Sequence, residues 1–428
     1  MLTDIHHLYK ISKKKVRYII GLMSGTSLDG LDIALGRFEG SGTQTKVSVV
    51  AFDTVTYTEI FKNEIRQVFA KETIPFQHLV LLNEKIGSAH AEMVLSFLKK
   101  HKIKPAKIDL IASHGQTVYH APKIQHGLTD YPNGTLQIGD GDHIAVKTGI
   151  ITLSDFRQKH IAFGGEGAPL AAYGDYFLFS TPDENRIMLN LGGIANFTFL
   201  PASLHASEVF VTDTGPGNTL LDACVRFYFP EKYYDKDAEM ASKGIINTDL
   251  LKALLQHAYF KNKSGTTGPE VFNLKFVEHA QEQSNTKNLS PENLLATLTA
   301  FSAQTIANSI ISCQQSANNT TNLGRVLNPS KVYTQHATTD KIQPTTIYLS
   351  GGGMHNPLLV NSIKKLLPDF NFGTTDDLGI NGDAKEAVLF ATLANECVSG
   401  DKKIWMKNNA DSSFFFPDIS MGKISLPN

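Results

Sequence analysis

The chain has 428 residues, 42% hydrophobic and 19% charged, a length and composition that predict two or three packed domains. Lys and Arg number 40 against 41 Asp and Glu, a net charge of −1, so no field favours nucleic acid or an anionic membrane surface. Cys224, Cys313 and Cys397 are odd in number and lack metal-ligand spacing, which predicts buried thiols in a reducing compartment with neither disulfide nor zinc. No run reaches the ~18–20 apolar residues of a membrane span, and MLTDIHHLYKISKKKVR has no apolar segment of secretory length. A cytoplasmic protein is expected, with small molecules or a second copy of the chain as partners.

In chain order, VRYIIGLM and LDIALGRF read as strands on either side of GLMSGTSLDGLD, Gly21 to Asp32. Such a loop offers backbone N–H groups and small hydroxyls to an anion such as phosphate; an ordinary glycine-rich hairpin is the equal alternative. Phe61 to Lys102 is helical in pattern, and strands return at IDLIASHG, TLQIGD and GIITLSDF. From Arg186, RIMLNLGGIANFTFLP repeats the strand, glycine turn and strand of Tyr18 to Phe38. VFVTDTGPGN is a strand ending in a Gly-Pro-Gly turn, and NTLLDACVRFYF a helix with Asn218 placed to cap it. LLATLTAFSAQTIANSIISC reads as a long buried helix, residues 314–343 as an exposed polar insertion, TTIYLSGGG as a strand and GDAKEAVLFATLANECV as a helix. Strands alternating with helices predict α/β layers.

Five glycine-rich turns fall at strand ends: MSGTSLDG, SHGQTVYH, DFRQKHIAFGGEGAPL, LGGIANFT with DTGPGN, and LSGGGMHNP. Together they suit the floor of a nucleotide site. The P-loop and dinucleotide fingerprints are absent, as are the protein-kinase signatures H-R-D and D-F-G.

In that order, with LQIGDGD, YDKDAE and TGPEVFN added, these motifs closely resemble those of the anhydro-N-acetylmuramic acid kinases, from roughly Ile19 to Cys397. The resemblance implies an α/β, two-domain actin-like ATPase with duplicated ribonuclease H-like domains and an interdomain nucleotide cleft. It places an N-terminal domain at 17–185, a C-terminal domain at 186–400 with the insertion at 314–343, and a tail at 401–428. It also implies ATP and Mg2+, a homodimer, and a reaction in which water opens 1,6-anhydro-N-acetylmuramic acid while O6 takes the γ-phosphoryl group. The product is N-acetylmuramic acid 6-phosphate, formed in peptidoglycan recycling. An ordinary sugar kinase of the same superfamily is the alternative. A partner-driving actin- or chaperone-like ATPase is disfavoured, because the residues after Ser399 are too few for a peptide-binding domain.

The resemblance assigns Asp213 as the base that activates the attacking water, with an Asx-type turn residue as the plain reading. It assigns Gly25, Thr26, Ser27, Leu28, Asp29, Gly30, Leu31 and Asp32 to the phosphates. Within that loop Asp29 acts on magnesium through water, and Asp32 inclines to a structural role. Gly351, Gly352, Gly353 and Asn356 pass under the nucleotide. Glu386 bonds the sugar or is an exposed helical glutamate; His114 and Gln116 touch substrate or brace a loop; Arg157 and Lys159 serve the lactyl group or a phosphate, or are solvated charges. Two departures stand out. Glu166 replaces the glutamine of the family's GGQGAPL, and KSGTTGPE puts Pro269 where an arginine is usual.

Overall fold

The two predicted strands at the start form β1 (Val16–Ser24) and β2 (Gly30–Glu39), paired antiparallel from Val16↔Glu39 to Met23↔Asp32, so the first glycine-rich stretch is the loop between them. β3 (Lys46–Thr56) adds antiparallel to β2. β4 (Leu110–Ala121) runs parallel to β1 on its other side, β5 (Gly134–Ile138) folds back on the far half of β4, and β6 (Thr152–Ser154) lies parallel to β4. A parallel return needs a crossover. Here it is supplied by helices Glu59–Arg66 and Phe76–Lys100, the latter presenting Leu82, Ile86, Val94, Phe97 and Leu98 to the core.

The second beginning repeats this order. β7 (Asn185–Leu191), β8 (Ile194–Leu200) and β9 (Phe210–Pro216) form an antiparallel meander, β10 (Thr345–Ser350) returns parallel to β7, and β11 (Asn371–Thr374) lies parallel to β10. The orders β3-β2-β1-β4-β6 and β9-β8-β7-β10-β11 are the same path with the same strand directions. The fold is therefore α/β and duplicated, with the ribonuclease H-like strand order in both halves. β12 (Lys423–Ser425) extends the first sheet by pairing with β6.

The computed structural model describes residues 2–25, 28–262, 267–268, 271–322, 344–400 and 420–428. It divides into unit 1, Met1–Thr181, Ser203–Val209 and Asp376–Asn428, and unit 2, Pro182–Ala202 and Phe210–Thr375. Residues 376–400, expected with the second half, belong to unit 1 because helix Lys385–Ser399 packs on β1, β2 and β4. Helix Pro291–Asn322 continues past the expected start of the insertion at 314, and residues 323–343 lie outside the described residues. Its segment Pro291–Gln314 is long and apolar enough to cross a membrane, yet Leu294, Leu298, Phe301, Ile306 and Ile310 are buried in the two apolar clusters of unit 2. Of the expected tail, 401–419 lies outside the described residues and the end forms β12.

In unit 1, helix Lys385–Ser399 packs tightly on β1. A Cβ placed on Gly21 in β1 would lie 1.8 Å from the carbonyl oxygen of Ala387 in helix Lys385–Ser399. Backbone cannot swing aside as a side-chain tip does, so Gly21→Ala is expected to cost about 3 kcal/mol or more of stability. Gly352→Ala, whose Cβ meets nothing within 4 Å, is the comparison and should change stability by less than about 0.5 kcal/mol. Urea unfolding of both variants checks this; equal midpoints would show that the helix does not sit against Gly21.

Candidate active site

Unit 1 holds the first group of chemistry-bearing residues. In the β1–β2 loop Leu28 is buried with φ +61°, its N–H reaching the Gly25 carbonyl at 3.4 Å, and Asp29 is exposed. A non-glycine residue at positive φ is uncommon, and burial of the Leu28 side chain offsets its cost. Thr26 and Ser27 lie outside the described residues. Gln116 supports the loop from beneath. It is fully buried, its amide donates to the carbonyls of Gly25 (3.2 Å) and Thr117 (3.1 Å), and its oxygen accepts from Ser24 Oγ at 2.6 Å. Of the two roles weighed for Gln116, bracing is the one this geometry describes.

The pairing of β1 with β4 shifts between Leu22↔Ser113 and Ser24↔Gln116, a bulge of the kind common beside functional sites. His114 sits in it with both ring nitrogens engaged. Arg157 Nε donates to Nε2 at 3.0 Å, which fixes the proton on Nδ1, and Nδ1 donates to the Gly115 carbonyl at 2.9 Å. Burial, and then the Arg157 charge, pull the imidazole down to about 3, so it is neutral at physiological pH. Arg157 also donates from Nη1 to the Gly167 carbonyl at 2.7 Å; burial lowers it to about 10, against the pull of Glu386, and it stays charged. Among the described residues its Nη2 has no partner. Lys159 is exposed.

Acidic groups gather nearby. Asp32 accepts from Thr54 Oγ1 at 2.6 Å, and its pKa is raised first by burial and then by the charges of Asp383 and Asp29. Glu386, solvent-accessible on the first turn of helix Lys385–Ser399, is raised by desolvation, with Lys385 and Arg157 opposing and Asp32 and Asp175 adding. Its neighbour Lys385 is buried and paired with buried Asp175 at 2.9 Å, a bridge that no local pattern announces. Glu166 is raised by burial alone, and among the described residues no cation pairs with it. Arg157 is turned to His114 and Gly167.

Unit 2 holds the second group. Asp213 lies inside β9 rather than at its end, and the register with β8 shifts between Ala195↔Gly215 and Asn196↔Asp213, leaving Thr214 as the extra residue. Its Oδ2 accepts from the Thr267 N–H at 2.8 Å, and its charge adds to the burial that raises Tyr259. Thr267 and Gly268 are the described part of KSGTTGPE; Pro269 lies outside it. Asn218 heads helix Thr219–Tyr228 without capping it. The turn is closed by main-chain bonds to Gly192 and Gly193, and the Asn218 amide reaches the Leu191 carbonyl at 3.3 Å.

After β10, Gly351 takes φ +81° with its Cα against Asn190 and Leu191, and Gly352 has open space beside it. Asn356 acts as N-cap of helix Pro357–Leu366, its Oδ1 accepting from Leu359 N–H at 3.0 Å. The side-chain oxygen expected beneath a nucleotide is thus engaged by the protein.

The family described as Anhydro-N-acetylmuramic acid kinase matches residues 17–328 and 326–401. An anhydro-N-acetylmuramic acid kinase of Pseudoalteromonas atlantica is 51% identical, covering 100% of both chains, and one of Caldanaerobacter subterraneus is 37% identical over 98% of this chain and 99% of its own. Among solved structures, the (R)-2-hydroxyglutaryl-CoA dehydratase component A of Acidaminococcus fermentans aligns with 89% of this chain and 99% of its own, at 12% identity and a TM-score of 0.40. A glycine-turn site in each half of a duplicated α/β fold, matched in sequence from end to end, places this chain in the anhydro-N-acetylmuramic acid kinase family of phosphotransferases.

Proposed function

We propose that the protein uses ATP and water to convert 1,6-anhydro-N-acetylmuramic acid into N-acetylmuramic acid 6-phosphate and ADP, in the cytoplasmic recycling of peptidoglycan, as a homodimer. The substrate has no free 6-hydroxyl, because O6 bridges to C1. Water must therefore add at C1 as the C1–O6 bond breaks, and O6 takes the γ-phosphoryl group. The observation that carries this reading is Asp213, a carboxylate set in a strand bulge and oriented by the Thr267 N–H. In that position it accepts the proton of the attacking water, a role commonly contributing about 10²–10⁴-fold in rate.

In unit 1 the loop from Gly25 to Asp32 would meet the phosphates; in unit 2 Gly351, Gly352 and Gly353, of which Gly352 has open space beside it, would pass under the nucleotide. Asp32, raised by burial and by the charges of Asp383 and Asp29, lies in an acidic setting that fits a site for a hydrated cation. Asp29 would hold Mg2+ through water, and the ion, when bound, would neutralise charge on the phosphates. Arg157, charged and with Nη2 unengaged among the described residues, suits the lactyl carboxylate. Glu386 suits a sugar hydroxyl or amide N–H. His114 and Gln116 would hold Arg157 and Gly25 in place without touching the sugar.

Asp213→Asn keeps an oxygen for the Thr267 N–H, so both substrates should still bind while turnover falls at least about 10²-fold. Calorimetric titration alongside single-turnover rates checks this, and a near-wild-type rate would remove Asp213 from the chemistry. Run in ¹⁸O-water, the reaction should place label at C1 of the sugar and none in the phosphate. The product must be read early, against unlabelled sugar 6-phosphate, because the free anomeric centre exchanges. Label appearing only in inorganic phosphate would identify an ATPase.

Glu166 offers a pH test. Its folded pKa is raised, so the folded state binds the proton more tightly than the unfolded chain, and this group's contribution to stability falls as pH rises through the carboxylate range. Glu166→Gln should therefore be more stable than the parent at pH 7, and the advantage should vanish at pH values below the unfolded glutamate pKa. Turnover at pH 7 should be equal or higher, since a negative charge near anionic ligands is removed. Thermal midpoints and rates across that range check both; a variant less stable at pH 7 would show that the carboxylate has a partner.

A further inference from the structure

A buried hydrogen-bond chain runs under the β1–β2 loop, begun by two residues, His90 and Tyr57, outside every predicted motif. Its members are His90, in helix Phe76–Lys100, Tyr57, just past β3, Ser24, the last residue of β1, and Gln116; all four are buried. His90 Nε2 lies 2.7 Å from Tyr57 Oη, Tyr57 Oη lies 2.9 Å from Ser24 Oγ, and Ser24 Oγ lies 2.6 Å from Gln116 Oε1. The direction of the protons follows from the last link. Gln116 Oε1 only accepts, so Ser24 donates to it and accepts from Tyr57, whose oxygen in turn accepts from the His90 Nε2–H. His90 is then left with a bare, buried Nδ1 that has no partner among the described residues. Protonation would place an N–H there with nothing to receive it, and burial holds this imidazole down at about 4.

Both ends of the loop meet Tyr57. Its hydroxyl holds Ser24 on the entering side, and its backbone N–H donates to the Asp29 carbonyl at 3.0 Å on the leaving side. Gln116 carries the chain on to the Gly25 carbonyl. The aromatic ring is itself fixed, edge-on to Phe61 at 4.9 Å and stacked with His90 at 6.2 Å. Clamped through one rigid side chain, the two feet of the loop, Ser24 and Asp29, are held in fixed positions, which a phosphate cradle needs.

We propose that Tyr57 and His90 are positioning residues that set the β1–β2 loop for the phosphates of the nucleotide. The inference rests on the reading of that loop as a phosphate site, and it adds residues that neither touch a ligand nor belong to a glycine motif. Tyr57→Phe preserves the ring and the backbone clamp and removes one oxygen. It should lower kcat/KM for ATP by about 10- to 100-fold. KM for the anhydro-sugar should stay within about twofold.

His90→Leu should reproduce that loss, whereas His90→Gln, which presents an amide N–H the same number of bonds from Cβ, should recover most of it. Ser24→Ala combined with Tyr57→Phe should be no worse than the poorer single variant, because both break the same chain. Steady-state kinetics with each substrate varied in turn reads all four. Equal losses toward ATP and sugar, or Tyr57→Phe indistinguishable from the parent, would overturn the assignment. Failure of the parent itself to phosphorylate the anhydro-sugar would overturn the reaction instead, so the two failures are told apart.

Discussion

The placement of the unit 1 chemistry depends on a steric fact: helix Lys385–Ser399 lies against β1 at a distance that only glycine at 21 permits. Ala387, Ala391 and Ala394 are buried in the same helix, and their small side chains let it lie close to the sheet. The far end is then tied by polar bonds. Arg17, buried, donates to Asn395 Oδ1 at 2.7 Å and to the Gly40 carbonyl at 2.8 Å, and Glu396 accepts from the Gly42 N–H at 2.9 Å. The near end is tied by the Lys385–Asp175 bridge. Glu386 has its backbone fixed by both anchors while its carboxyl reaches solvent, so a residue distant in sequence from the first loop comes to share electrostatics with Asp32.

Charge in this region is arranged by unequal costs of burial. Arg157 and His114 are in contact, and both cannot be cations where water is scarce. The imidazole is pulled down to about 3 while the guanidinium falls only to about 10, so at neutral pH the proton stays on the arginine. That outcome turns His114 into an acceptor and makes Arg157 a held cation with one edge unengaged. A lysine could not replace it, since the role needs three N–H groups in a fixed plane, one each for His114 Nε2 and the Gly167 carbonyl and one outward.

The sequence is most readable where information is local. Strand, glycine turn and strand at Tyr18–Phe38 and again from Arg186 become two hairpins of one topology; the helical pattern read from Phe61 to Lys102 becomes two helices, Glu59–Arg66 and Phe76–Lys100, and that of GDAKEAVLFATLANECV becomes Lys385–Ser399. What is not legible is partnership across the chain. Gln116 and Asn356 look like ligand contacts in a motif, yet both are engaged by backbone groups whose identity depends on tertiary approach. Asn218 looks like a cap and is not one, because backbone bonds already satisfy the turn. Tyr57 and His90 carry no signal, as each is an ordinary apolar-face residue until the fold places it beside the other. The assignment of helix Lys385–Ser399 to unit 1 fails to read for the same reason: order along the chain says nothing of which sheet a late helix covers.

The stretch Asp213-Thr214-Gly215-Pro216-Gly217 shows how several such constraints compress into five residues. β9 is the edge of its sheet, so Pro216, which has no N–H to donate, closes the ladder there without leaving a broken bond in the interior. Before it the bulge requires Gly215 at φ +126°, a conformation closed to other residues, and the unpaired Thr214 turns its hydroxyl inward to the Ala195 carbonyl at 3.1 Å. After it Gly217 passes so close to the Gly192 carbonyl that an added Cβ would lie 2.3 Å away, which locks this turn to the glycine turn between β7 and β8. With backbone on both sides of it fixed, Asp213 has little freedom left beyond its own side-chain torsions, and the Thr267 N–H supplies a further restraint. A carboxylate so confined loses little entropy when a water is held against it, and this confinement supports the general-base role proposed for Asp213.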